Sequence, residues 1–348
     1  MPLIANGKMR AVILRKKGPP EVYKVETTDI PMPGERQVLV RVRACGICNH
    51  EVVVRSPDVP HHSFHPPQIQ GHEIAGEVVA LGPSAGDFKV GDRVTAINRK
   101  SCRYCDRCRR GDETHCPNES LNEGGYGEFA ALNEETLLRI PEAMPFEHAC
   151  LAGCAMGIAY RSVAITAHVI PGETVLVTGP GGGIGAHAVE IAKLVGAQVV
   201  AVTRSPSKIP QVKALGADYV IATEGQPFFR KVEEVLGRKF GVNAVIDTVG
   251  SAVFDSAFRT LDYQGRYVFV GEFTHSVIQF NIPWMFRKDN ILMGSGPARK
   301  WEAQTCLDLM ARGLIKPLVA KTYPLERVAE AHREMEAMNH VGRLVITP

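Results

Sequence analysis

From Met9 to about Val94 apolar and polar positions alternate in short runs, broken repeatedly by Gly and Pro. A period of two marks strands, and Arg10–Leu14, Gln37–Arg43 and Gly76–Leu81 carry it. The stretch Ser56–Pro67 (SPDVPHHSFHPP) has no period and is read as a loop of the kind that borders sites. Strand character returns at Gly124–Leu132. Beyond about Pro145 the texture changes. Glu147–Ala167 is Ala-rich and helix-compatible despite its glycines. Apolar strands at Thr174–Thr178, Gln198–Thr203, Tyr219–Ala222 and Ala244–Asp247 then alternate with helical stretches at Gly185–Leu194, Ile209–Leu215 and Phe228–Leu236. That alternation predicts right-handed βαβ units around a buried parallel sheet. Further strands are expected at Arg266–Val270 and Ile291–Gly294, helices near Trp301–Arg312 and Leu325–Met338, and a last strand at Arg343–Ile346. The fold class is α/β: a β-rich part and a doubly wound parallel sheet.

Composition adds limits rather than identity. A chain of 348 residues predicts two domains. With 45% hydrophobic and 22% charged residues it reads as globular, and a formal charge of +3 is too small to imply a nucleic-acid or membrane partner. No run approaches the ~18 consecutive apolar residues of a membrane span. The opening MPLIANGKMRAVIL lacks an apolar core and a small-residue cleavage site, so a cytoplasmic location is expected. Nine cysteines without an export signal favour reduced thiols and metal over disulfides.

Four of them, Cys102, Cys105, Cys108 and Cys116, are spaced C-x2-C-x2-C-x7-C among charged residues. Thiolates so close in sequence can all reach one ion, and structural zinc takes four ligands in a tetrahedron. The segment, about 99–118, is expected to be a zinc lobe.

Val175–Gly185 reads VLVTGPGGGIG, a strand followed by Gly179, Gly181, Gly182, Gly183, Ile184 and Gly185 at the start of a helix. Glycines there allow a tight turn and let the backbone approach a pyrophosphate at the helix N-terminus. After the next strand an Asp or Glu normally holds the ribose 2′-hydroxyl. This chain has Thr203, Arg204, Ser205 and, further on, Lys208 instead. Cations and hydroxyls without a carboxylate favour NADP(H) over NAD(H).

Further thiol and imidazole groups lie at Cys45, Cys48, His50, His72 and Cys154, with Glu51 and Glu73 beside them. Spacing alone does not unite such distant segments. Gly46–Cys48 (GIC), Gly71–Glu73 (GHE), Gly91–Val94 (GDRV), the cysteine lobe, Gly124–Phe129, the glycine loop and the terminal GRLVI together resemble the zinc-dependent medium-chain dehydrogenases/reductases, the alcohol dehydrogenase superfamily. The resemblance implies a GroES-like catalytic domain at 1–157, a Rossmann dinucleotide domain at 158–297 and a return to the catalytic domain at 298–348. It implies Cys48, His72 and Cys154 as ligands of a catalytic zinc with Glu73 as a close or transient fourth ligand, and the four lobe cysteines as ligands of a structural one. It also implies Arg343 near the pyrophosphate and a homodimer or homotetramer.

One position departs from the family pattern. Alcohol-oxidising members usually carry Ser or Thr two residues after the first cysteine ligand, where this chain has His50. His50 is read either as the proton relay or as a solvated imidazole. The expected activity is hydride transfer between NADP(H) and an alcohol and its aldehyde or ketone. The alternative is reduction of a C=C bond conjugated to a carbonyl, of the acryloyl-CoA or enone type. The loop His61-His62-Ser63-Phe64-His65 is read as a solvated loop rather than an adventitious metal patch, and Trp284 and Phe286 as core or subunit interface rather than substrate contacts.

Overall fold

The computed structural model describes residues 7–58, 64–272 and 276–348; His61, His62 and Ser63 lie outside them. The chain divides into two compact units. One comprises Met1–Gly157, Pro297–Ala311 and Val319–Pro348, the other Ile158–Gly296 and Arg312–Leu318. The short excursion 312–318 into the second unit carries no mark in the hydrophobic pattern.

The first unit is built on a mostly antiparallel seven-stranded sheet. Its strands follow the order Val319–Pro324, Arg343–Thr347, Gln37–Gly46, Glu73–Leu81, Arg93–Ala96 and Leu137–Arg139, while Phe129–Asn133 pairs with Gln37–Gly46 off this path. Alternation puts Val40, Val42, Ile74, Val78, Val94, Leu132, Leu344 and Ile346 on the buried side, where they form one core. Two register facts matter for chemistry. Gly46 pairs with Glu73, and the last strand brings Val345 and Ile346 against Gly46 and Cys45. Three remote parts of the sequence therefore meet at the end of one strand.

The second unit contains a six-stranded parallel sheet. The order is Tyr219–Ala222, Gln198–Thr203, Thr174–Thr178, Val242–Asp247, Leu261–Phe269, Ile291–Gly294. In sequence terms this is 3-2-1-4-5-6, so the direction of winding switches between the first and fourth strands. Its central strands are buried almost throughout and mostly apolar, as a sheet covered on both faces requires.

The Ala-rich stretch is helical, but irregularly so. Phe146–Thr166 is long and apolar enough to cross a membrane by composition alone, yet 72% of its most apolar window is buried within the protein, as befits a core helix. Two π-helical turns, Ala152–Met156 and Arg161–Thr166, interrupt it. Such turns widen the helix locally and re-aim side chains. Helices at Asn49–Arg55, Phe254–Arg259 and Ile282–Phe286 appear where no clear period announces them.

Candidate metal and dinucleotide sites

Cys48 follows the strand Gln37–Gly46 and caps the helix Asn49–Arg55. His72 precedes Glu73, the first residue of the neighbouring strand. Cys154 comes from the π-helical turn Ala152–Met156. Ligand atoms of Cys48, His72, Glu73 and Cys154 all lie within 4.8 Å of one another. Glycines make the approach possible. A Cβ on Gly46 would strike the Glu73 carboxylate, and one on Gly153 would strike the carbonyl of Ala96.

Glu51 organises this cluster. One carboxylate oxygen accepts the Cys48 backbone N–H at 2.8 Å, and the other lies 2.6 Å from His72 Nδ1, both side chains being buried. With Nδ1 engaged by Glu51, Nε2 is the nitrogen left for a ligand role. On the other side Arg343, from the last strand, grips Glu73 through both edges of the carboxylate, Nε donating to Oε2 at 3.1 Å and Nη2 to Oε1. Arg343 is 3% exposed and Glu73 fully buried. The guanidinium expected beside a pyrophosphate is thus placed on Glu73, because the last strand lies beside the strand that ends at Gly46.

Electrostatics follow from this crowding. A hydrogen bond from Cys154, together with the charges of Arg343 and His72, holds the Cys48 thiol well below its ordinary pKa. Cys154, sharing that bond, goes up. Burial disfavours a charged His72 ring, yet Glu51 and Cys48 outweigh it and raise the pKa well above the usual value. Burial raises Glu73 against the pull of Arg343. Two thiols, a carboxylate and an imidazole converging in a buried space form a donor set suited to zinc. His50 lies at the border, its ring edge-on to that of His72 with centroids 5.5 Å apart. Burial lowers its pKa. Cys45, by contrast, is packed under Gly71 and Gly125, and burial pushes its thiol up.

The cysteine quartet forms a second cluster, whose four sulfurs also lie within 4.8 Å of one another. Cys102 and Cys108, and Cys105 and Cys116, have sulfurs 4.0 Å apart, about twice a disulfide bond length, and all nine cysteines are free. Burial opposes ionisation of Cys102, but the backbone N–H groups of Cys105 and Tyr104 bring its pKa down to about 6. A two-stranded base, Arg99–Lys100 with Ser120–Leu121, closes the lobe.

In the second unit the strand Thr174–Thr178 runs into Gly179, which adopts φ +62°, and Gly182 caps the helix Gly183–Val195. A Cβ on Gly185 would collide with the Gly179 carbonyl, so this glycine sets how closely helix and strand approach. Gly181 lies under the Lys208 ammonium, where a Cβ would come within 2.9 Å of Nζ. Burial and the nearby Arg204 lower the Lys208 pKa. Ile184 is half-buried, Thr203 is buried, and Arg204 is exposed without a carboxylate partner among the described residues.

The organising roles of two residues, Glu51 and Asp247, were not assigned from the sequence. Glu51 carried only the signal of its place three residues after Cys48, the spacing of a capping box. Asp247, at the end of the fourth strand, accepts hydrogen bonds from Thr178 Oγ1 at 2.5 Å, Tyr267 Oη at 2.7 Å and the backbone of Val249 and Gly250. It ties the first and fourth strands together at the switch in winding.

Comparison with known proteins agrees with this geometry. The family description "Alcohol dehydrogenase GroES-like domain" matches residues 34–142, and "Zinc-binding dehydrogenase" matches 183–312. An acryloyl-coenzyme A reductase of Sulfurisphaera tokodaii is 33% identical over 98% of this chain and 100% of its own. An NAD-dependent alcohol dehydrogenase of Sulfolobus acidocaldarius is 33% identical over 97% of this chain and 99% of its own. Among solved structures, that of AibC superposes with a TM-score of 0.90 at 36% identity, covering 99% of this chain and 96% of that one.

Proposed function

Because the chain belongs to the zinc-dependent medium-chain dehydrogenases/reductases, the alcohol dehydrogenase superfamily, we propose that it transfers hydride between NADP(H) and an alcohol and its aldehyde or ketone. The buried convergence of Cys48, His72, Glu73 and Cys154 carries this reading. Cys48, His72 and Cys154 would hold a zinc ion, which would supply Lewis-acid polarisation of a substrate oxygen. The glycine loop Gly179–Gly185 would hold the dinucleotide, whose nicotinamide would supply or take the hydride.

The chain's own residues do the rest. Glu51 fixes the tautomer and orientation of His72. Arg343 balances the Glu73 carboxylate and keeps it from acting as an unpaired buried charge. His50 stands at the position of the usual Ser or Thr and passes the substrate proton onward. Lys208 over Gly181 and Arg204, without a carboxylate partner among the described residues, support a 2′-phosphate, although the Sulfolobus acidocaldarius relative is named as NAD-dependent. The cysteine quartet, with all four positions filled by thiolates, serves as a structural zinc site and leaves none open for substrate.

A second reading has its own support. Relatives named acryloyl-coenzyme A reductase match almost the whole chain, and His50 replaces the alcohol-type relay residue. There the polarised carbonyl would activate a conjugated C=C bond and hydride would go to the β-carbon. One assay separates the two: zinc-loaded protein, with NADPH or NADH oxidation followed on aldehydes, enones and enoyl thioesters. Cys48→Ala and His72→Ala should each abolish turnover on the preferred substrate while circular dichroism stays native. Full activity in either variant overturns the zinc-centred mechanism.

A further inference from the structure

Beside the cysteine lobe, within the first unit, lies a cavity of about 320 Å³. Among its lining residues are four cations, Arg99, Arg103, Arg299 and Lys300, against two acids, Glu113 and Glu135. Part of this charge is already engaged. Arg99 pairs with Glu119, Arg299 lies 3.5 Å from Asp112, and Lys300 Nζ donates to the Glu135 carbonyl at 2.8 Å. Arg103 has no carboxylate partner among the described residues. The Nε groups of Arg99 and Arg299 and the Thr114 hydroxyl are buried without hydrogen bonds. Orphaned donors of this kind are costly unless something accepts from them.

The backbone adds to the same potential. Arg299 and Lys300 open the helix Lys300–Ala311, whose N-terminus carries partial positive charge. Burial and the neighbouring Arg103 lower the Lys300 pKa, and burial lowers that of Arg99. Both shifts come first from burial, which disfavours the charged form. The cavity also adjoins the chemistry: Arg99 is close enough for its charge to be felt at both Cys154 and His50. Its chain neighbours Ala96 and Ile97 pack directly under Gly153.

We propose that this cavity binds the phosphate-bearing part of the substrate, so that the protein acts on carbonyl compounds carried as coenzyme A thioesters. The ligand class rests on the second reading above. Phosphate oxygens suit the site because guanidinium forks, an ammonium and a helix N-terminus all present donors to them. Phosphates could come from a thioester carrier or from the dinucleotide, and the test separates these sources.

Free coenzyme A and inorganic pyrophosphate are titrated by calorimetry into zinc-loaded protein, alone and saturated with NADP. The double variant Arg299→Gln/Lys300→Gln is compared with Lys208→Gln in the glycine loop. Coenzyme A should still bind the NADP-saturated protein, and the double variant should weaken it at least tenfold while NADP affinity changes less than twofold. Lys208→Gln should show the reverse pattern. In turnover, the ratio of kcat/KM for crotonoyl-CoA to that for crotonaldehyde should fall tenfold or more in the double variant. Coenzyme A that NADP displaces completely, or that binds the double variant unchanged, overturns the proposal. If no carbonyl compound is turned over, the catalytic reading fails, and the binding arm still decides whether the cavity takes phosphate.

Discussion

At the scale of single residues, the decisive side chain is one that positions others. Glu51 holds the Cys48 backbone with one oxygen and the His72 ring with the other. Glu51→Gln keeps the size but removes the charge that aligns the imidazole. Partners of this kind tune metal affinity about 10–100-fold. Chelator competition should therefore show a loss of that order for one zinc per chain and none for the other; unchanged affinity at both would remove Glu51 from the site. The proposed ligands were legible only through family motifs, since no spacing links Cys48 to Cys154. Glu51 and the Arg343–Glu73 pair depend on strand register, which a sequence does not display. His332 offers a test of a different kind. Its Nε2 lies 3.0 Å from the Tyr126 hydroxyl, and burial, aided by Arg55, lowers its pKa to about 3. The unfolded chain takes a proton there near pH 6.5 and the folded one does not. Stability from this group is therefore complete above about pH 6.5 and declines as pH falls toward 3, by up to about 1.4 kcal/mol per unit. Denaturant unfolding between pH 7 and 4 should show a shallower decline in His332→Gln, and an identical slope would count against it.

At the scale of elements, the irregular helix Phe146–Thr166 matters most. Composition predicted a helix, and a helix is there, but its π-helical turn at Ala152–Met156 is what aims Cys154 at the other donors. Hydrophobic periodicity averages over such a turn and cannot see it. Gly153 is the residue the packing cannot exchange, because its missing Cβ is the room in which the Ala96 carbonyl sits. That neighbour is backbone and cannot rotate away. Gly153→Ala should cost about 1–3 kcal/mol in unfolding free energy and displace Cys154. Elemental analysis should then find the lobe zinc retained and the second zinc lost. Retention of both with unchanged stability would mean the turn is looser than the structure shows. The lobe is the opposite case: its cysteines lie within one short stretch, so local spacing was enough to bring them together on paper.

For the whole molecule, the pattern of strands and helices was legible because central parallel strands are mostly apolar and the antiparallel ones alternate. Strand order was not, since pairing is a long-range property; the 3-2-1-4-5-6 sheet emerged only in three dimensions. That order leaves Ile291–Gly294 as an edge strand. Edge strands carry unpaired backbone groups and usually need cover. Exposed apolar side chains stand here beside the charged Arg287, Lys288 and Asp289: Ile291 is 50% exposed, and Phe286 and Ile282, on the preceding helix, are 60% and 63% exposed. Trp284 packs into the core of its own unit, so the sequence alternative of core or interface divides, with Trp284 inside and Phe286 outside. A second copy of the chain pairing along this edge would bury all three exposed side chains and extend the sheet across the contact. Light scattering should then give the mass of a dimer or larger assembly for the native chain. Ile291→Lys combined with Phe286→Asp should halve that mass without changing the circular dichroism. A monomeric native chain, or a double variant that keeps its mass, would show that the edge is covered by something other than a second copy.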